Sequence, residues 1–313
     1  LDIFKLTMSS TTIPLIHDGA MGTELTRRGF DTHLPLWSAK ALIDTPSAVQ
    51  QIHADYLAAG AQVITTNTFR TNRRALAKAN MAEQARALTF RAVQLAKQAC
   101  HDYMQIQPMS IAPRIAGSIA PVEDCYMPEL VPSENELDDE HTELAHNLAD
   151  AGCDFILIET MNCIREALCA VKAAFATGLP FWVSFTLNAH NDLLSGETLR
   201  EAVSVIAPFN PQAMLVNCIP VAQCSSALHV LRNAARSAHI SVRFGVYGNV
   251  GHVDDEVGWT LTHAVSPQMY ATHARAWAND GADIIGGCCG TMPAHINAIV
   301  NEFRGDAKRQ TSD

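Results

Sequence analysis

The sequence has no apolar run near the roughly 18 to 20 residues that span a bilayer, no linker or low-complexity tract, and no block of like charge. Nothing in it supports a membrane span or a disordered arm. Basic side chains are scarce, 22 against 32 acidic ones for a net charge of -10. The resulting field repels phosphate backbones and anionic lipid, so neither nucleic acid nor a membrane surface is an expected partner. The stretch Leu1 to Thr12 lacks the charged, apolar and cleavage regions of a signal peptide, and a cytoplasmic location is expected. No Cys-x-x-Cys pair is present, and no His-x-x-x-His with a neighbouring acid. The paired zinc patterns are therefore missing, and His53, His141 and His273, all in helical patterns, read as packing or surface residues. An odd number of cysteines, nine, without an export signal argues against a disulfide framework. Cys100 and Cys169 in helical patterns and Cys153 before a strand read as small hydrophobes.

What is present is a chain of 313 residues, 48% hydrophobic and 17% charged, enough for one sizeable core. Short β-rich apolar runs occur at Leu15 to Asp18, Gln62 to Asn67, Ile111 to Gly117, Asp154 to Glu159, Phe181 to Thr186, Ala213 to Cys218, Val242 to Gly248 and Asp283 to Gly287. The intervals carry helical periodicity. Leu137, His141, Leu144 and Leu148 follow the capping box Ser133 to Glu136, and Tyr270, His273, Ala274 and Trp277 follow Ser266-Pro267. Gly60-Ala61-Gln62, Gly152-Cys153-Asp154 and Gly281-Ala282-Asp283 repeat one grammar, a glycine helix cap before a strand. Seven residues after each glycine stand Asn67, Glu159 and Cys288, which falls at the C-terminal ends of strands. Eight such units close most simply into a single-domain (β/α)8 TIM barrel, with its active site at that face and an open doubly wound sheet as the alternative. One domain over residues 1–313 is expected, with a core at about 13–303 and loose ends at Leu1 to Ile13 and Gly305 to Asp313.

Two adjacent thiols stand between glycines in Gly286-Gly287-Cys288-Cys289-Gly290, and a third ends a strand in Asn217-Cys218. Adjacent strand residues point to opposite faces, so two neighbouring ligands to one ion must lie past the strand, in a turn that glycine permits. Three thiolates with an open fourth position suit a catalytic zinc; a buried Cys-Cys pair beside an unrelated Cys218 is the alternative. The open position would hold another thiol as its anion. Asp18 and Glu159 end two further strands, and two carboxylates suggest an ammonium partner. The small residues after Asp18 expose N–H groups for a carboxylate, although Asp18 also fits an Asx turn or a helix cap.

Asp18-Gly19-Ala20-Met21-Gly22-Thr23-Glu24-Leu25, Asn217-Cys218 and Gly286-Gly287-Cys288-Cys289-Gly290-Thr291 together resemble the homocysteine S-methyltransferase family, over roughly Ile13 to Phe303. The resemblance implies a (β/α)8 barrel with zinc on Cys218, Cys288 and Cys289. It also implies homocysteine bound through its thiol to the metal, its ammonium held by Asp18 and Glu159, and its carboxylate received by the loop at Gly19 and Ala20. Family members use S-methylmethionine or S-adenosylmethionine, betaine, or a methylated folate delivered through cobalamin on additional domains. This chain has no room for those domains, and it stops soon after Cys289, without the C-terminal extension of the betaine enzymes. Leu36-Trp37-Ser38-Ala39-Lys40 and Ser184-Phe185-Thr186-Leu187 are similar to the users of S-methylmethionine, so a small sulfonium donor is expected. Tyr247-Gly248-Asn249 departs from the Tyr-Pro-Asn of those members. Trp37 and Trp259 are candidates to face a cationic donor, with packing as the plainer role. A betaine-dependent enzyme, a zinc- or thiol-buffering protein without turnover, and a zinc aldolase or hydrolase are the competing functions. The last predicts histidine or carboxylate ligands in place of three thiolates.

Overall fold

The computed structural model describes residues 13–107, 111–254, 258–260 and 265–310. Residues 1–12 of the expected loose end and the Trp259 side chain lie outside that description. All eight anticipated runs form strands: β1 Leu15–Ile16, β2 Val63–Thr65, β3 Arg114–Ile119, β4 Phe155–Met161, β5 Phe181–Phe185, β6 Ala213–Pro220, β7 Arg243–Asn249 and, after a short hairpin of β8 His252–Asp254 and β9 Gly258–Thr260, β10 Ile284–Gly287. The eight pair in parallel in the order β1-β10-β7-β6-β5-β4-β3-β2. The seam between β1 and β2 is closed by a bridge from His17 to Val63, by Gln62 N–H on the Ile16 carbonyl (2.7 Å) and by Asp18 N–H on the Val63 carbonyl (3.1 Å). The fold is a (β/α)8 TIM barrel.

Period-two alternation fills its interior. Val63, Ala116, Phe155, Leu157, Trp182, Ala213, Leu215, Tyr247 and Ile284 form one buried cluster inside the barrel, distinct from the larger core between strands and helices. Two residues further along the same strands, the inward positions turn polar at Thr65, Ser118, Glu159, Ser184 and Asn217. The apolar layers make a floor, and the polar layer faces the C-terminal mouth.

The three glycine caps are one motif repeated. Gly60, Gly152 and Gly281 have φ of 104°, 82° and 97°. Each donates to the carbonyl three residues back, and Ala61, Cys153 and Ala282 each donate five residues back, to Tyr56, Leu148 and Trp277. This double closure ends the helix and turns the chain into the next strand. Helix Glu134–Ala151 begins with the Ser133 to Glu136 capping box, and Leu137, His141, Leu144 and Leu148 are buried along it. His53 is buried as well, and His273 stacks on Trp277.

Three boundaries differ from expectation. β3 starts at Arg114, because Pro113 has no N–H for the ladder and Ile111 is 75% exposed. The last helix, Pro293–Gln310, runs through Gly305, so the expected C-terminal loose end is helical as far as Gln310; a lone glycine costs a helix only about 1 kcal/mol. The β8–β9 hairpin had no alternating pattern strong enough to reveal it. Among the described residues, no helix is long and apolar enough to cross a membrane.

Candidate active site

The three thiols converge. The Sγ of Cys218 lies 3.2 Å from that of Cys288 and 3.9 Å from that of Cys289, and all three fall within 4.8 Å of one another. Cys288 and Cys289 follow the last residue of β10, in the turn expected of them. That turn depends on Gly290, whose φ is +81° and where a Cβ would collide with the Val250 carbonyl oxygen. Val250 N–H on the Cys289 carbonyl (2.8 Å) and Gly290 N–H on Thr23 Oγ1 (2.9 Å) fix it further. Cys218 reaches the same point by another device. Its neighbour Asn217 takes the inward position, and alternation would send Cys218 outward; instead Cys218 has φ +57°, where β6 slips register against β7 between Asn217 and Pro220. Asn217 bonds Ser184 Oγ (2.6 Å) and Thr160 (2.8 Å) beneath it.

Negative charge within the three thiols concentrates on Cys218. Cys218 sulfur accepts from the Cys288 and Cys289 thiols, which holds its pKa well below the ordinary thiol value. Sharing that charge pushes Cys288 and Cys289 up. Tyr126 Oη, 3.2 Å from Cys218 Sγ, and the Asn249 amide bond the same sulfur. The Asn249 Oδ1 is buried with no partner among the described residues. Three soft sulfurs within 4.8 Å of one another fit a thiophilic ion such as zinc.

Asp18 and Glu159 share the cavity with the thiols. Asp18 is 2% exposed, its carboxylate receiving Thr65 N–H (2.8 Å) and Thr65 Oγ1 (2.9 Å). Neither an Asx turn nor a helix cap describes it: it ties β1 to β2. Glu159 accepts from Ser118 Oγ (2.5 Å) and Tyr247 Oη (3.3 Å). Burial pushes Asp18 up to about 8 and Glu159 to about 7, and for Asp18 the nearby Glu159 charge adds to the rise. Burial thereby holds both acids short of full ionisation near neutral pH. Gly19 N–H has no partner among the described residues, whereas Ala20 N–H donates to Thr291 Oγ1 (3.2 Å).

The cavity, about 760 Å³, is walled by loops above the strand ends. Trp37 is half-buried in that wall, packed edge-on to Phe69 (5.4 Å between centroids) and against Gly22. Asn67 Nδ2 donates to the Ser38 carbonyl (2.8 Å) and so fixes the turn that carries Trp37. Arg70, Cys125, Tyr126 and Ser118 also line the cavity without having been singled out from sequence, and so does Tyr247, named there only as part of Tyr247-Gly248-Asn249. The inward period of β3 and β7 could have marked Ser118 and Tyr247; Arg70, Cys125 and Tyr126 sit on loops, where no period exists.

The family model for homocysteine S-methyltransferase matches residues 15–303. The chain belongs to the homocysteine S-methyltransferase family. It is 31% identical to homocysteine S-methyltransferase YbgG of Bacillus subtilis, over 92% of this chain and 94% of that one, and 32% identical to the Escherichia coli homocysteine S-methyltransferase, over 91% and 94%. The metallated form of the homocysteine methyltransferase MmuM from Escherichia coli superposes with a TM-score of 0.80 at 30% identity, over 92% of this chain and 96% of that one. The family assignment makes this chain an enzyme of methyl transfer to homocysteine, from a family with a metallated member. The three-sulfur cluster gives it a candidate metal centre.

Proposed function

We propose that this homocysteine S-methyltransferase uses a sulfonium donor, S-methylmethionine or S-adenosylmethionine, and carries zinc on Cys218, Cys288 and Cys289. The observation that supports it most is the convergence of three sulfurs within 4.8 Å in one cavity with two buried acids, Asp18 and Glu159. Zinc, when bound, lets a coordinating thiol lose its proton near neutral pH, where a free thiol of pKa about 8.5 is mostly protonated.

The remaining work falls to the chain. Asp18 and Glu159 hold the homocysteine ammonium, each already anchored by hydroxyl or amide donors that keep its oxygens aimed. Gly19, whose N–H has no partner among the described residues, receives the amino-acid carboxylate, and Ala20 joins it by exchanging its N–H bond to Thr291 Oγ1 for one to the substrate. With both ends of the amino acid fixed, its thiol side chain is directed towards the cysteines. The half-buried Trp37 and Phe69 form an apolar wall that keeps water from the reacting atoms and suits a sulfonium through the ring faces. Methyl transfer in line needs no general base; positioning supplies most of the acceleration. The donor leaves as a neutral thioether, a better leaving group than the amine released from betaine.

The test is methionine formation from homocysteine by zinc-loaded protein, with S-methylmethionine, S-adenosylmethionine and betaine offered in turn. Methionine from the sulfonium donors is expected. Zinc bound without turnover on any donor would instead mark a metal- or thiol-buffering protein.

A further inference from the structure

Arg70 is the buried arginine that lines the cavity, whereas Arg114, likewise without an ion pair among the described residues, stacks on Phe155 outside it. Arg28 pairs with Glu24 and Asp55, Arg73 with Glu143, and Arg74 with Glu123 and Glu136. Arg70 is 8% exposed, yet no hydrogen bond or ion pair of its guanidinium is found among the described residues, and its Nε is buried without a partner. A guanidinium keeps its charge in a protein, and here only Nε is buried, so the two terminal nitrogens open on the cavity, where an anion from solution can complete them.

The surroundings define that anion. Arg70 lies on the loop after β2, its Cζ 5.9 Å from the Phe69 ring, and Phe69 meets Trp37. The guanidinium thus adjoins the aromatic wall on which a sulfonium would rest. On the proposed reading the acceptor's ammonium belongs to Asp18 and Glu159 at the strand ends, whereas Arg70 and Phe69 stand beyond the end of β2, in the loop wall of the same cavity. A ligand with a cation on the aromatic wall and an anion at Arg70 is a sulfonium that also carries a carboxylate.

We infer that Arg70 anchors the carboxylate of the methyl donor, so that the enzyme selects sulfonium donors bearing a carboxylate over those without one. This rests on the sulfonium reading above. The role is one of specificity: Arg70 fixes the far end of the donor and thereby the angle of its methyl group to the acceptor thiol.

Arg70→Gln and Arg70→Lys test it with two donors, S-methylmethionine and trimethylsulfonium, which lacks a carboxylate. Charge-assisted hydrogen bonds are worth about 1.5 to 3 kcal/mol, so Arg70→Gln is expected to raise the KM for S-methylmethionine about tenfold to a hundredfold. The KM for homocysteine, the zinc content and the rate with trimethylsulfonium should hold, and Arg70→Lys should recover part of the loss. Calorimetric binding of S-methylmethionine should weaken by the same factor, a readout independent of turnover. An unchanged S-methylmethionine KM, an equal loss with trimethylsulfonium, or a rise confined to the homocysteine KM would each overturn the assignment. No methionine from wild-type protein with any donor would sink the sulfonium reading itself, while calorimetry would still report whether Arg70 binds the carboxylate.

Discussion

Cys218 and Cys288, seventy residues apart in the chain, hold their sulfurs 3.2 Å from each other. Cys218 arrives there through a left-handed residue at the end of β6, and Cys288 through a glycine-flanked turn after β10. Each thiol is thus placed by separate backbone machinery, and each should be separately removable. Cys218→Ser, Cys288→Ser and Cys289→Ser are each expected to lose most of the bound zinc and nearly all activity while the barrel stays folded. Metal analysis with circular dichroism checks this, and full zinc content in Cys218→Ser would remove it from the ligand set.

The same proximity predicts sensitivity to oxidants. Sulfurs this close can join as a disulfide, which consumes two ligands at once. Mild oxidant should release zinc and abolish activity, and a thiol reductant with added zinc should restore both. Activity that survives oxidation with zinc retained would contradict the proposed role of the cluster.

Asp18 and Glu159 supply a pH dependence. Their folded pKa values, about 8 and about 7, lie above the roughly 4 of unfolded carboxyls. The stability they contribute is present in full below about pH 4 and is lost as pH rises through 7 to 8. Between about pH 6.5 and pH 8 the substrate-free protein should therefore melt at progressively lower temperature, and Asp18→Asn should flatten that slope; at lower pH the buried His17 and His53, whose pKa values burial lowers to about 4 and about 3, act in the opposite sense. Homocysteine binding runs the opposite way, because only ionised carboxylates pair with its ammonium: affinity should climb over the same interval. Asp18→Asn and Glu159→Gln should each weaken homocysteine about tenfold to a hundredfold with zinc retained. Unchanged affinity in both variants would refute the role given to these acids.

The strands, the three glycine caps and the placement of Asp18, Glu159, Cys218, Cys288 and Cys289 around one cavity were legible because each rests on a local signal. Apolar runs have a period, a left-handed cap calls for glycine, and a reactive residue where an apolar run stops marks a strand end. The left-handed turn at Cys218 had no such signal, since it arises from the register of β6 against β7. Arg70, Cys125 and Tyr126 were missed for a related reason. Their proximity to the cluster is set by loops that pack only when the whole barrel has closed, and nothing in their neighbouring residues encodes it. Asn67 was legible as a strand-end polar residue, but its service to the Ser38 carbonyl is a contact across 29 residues of chain.

Gly290 offers a test of how tightly the metal site depends on backbone shape. Its φ of +81° disfavours any side chain, and a Cβ would strike the Val250 carbonyl. Gly290→Ala should therefore displace Cys289, lowering zinc affinity and melting temperature together, whereas Gly178→Ala, at a comparable φ of 75° with open space around it, should lower the melting temperature alone. Equal zinc affinity in the two variants would show that the Cys289 turn tolerates movement.

On the proposed sulfonium reading, leaving-group chemistry and the cavity wall together select the donor. S-methylmethionine departs as a neutral thioether and offers both a sulfonium for Trp37 and Phe69 and a carboxylate for Arg70. Betaine also carries a cation and a carboxylate, so binding alone does not separate the two. Their leaving groups do, because the amine released from betaine is the poorer one. At equal homocysteine, the kcat/KM with S-methylmethionine should exceed that with betaine, and the difference should lie mainly in kcat. A betaine rate above the S-methylmethionine rate would overturn the sulfonium assignment, and a difference confined to KM would move the discrimination from the leaving group to the wall.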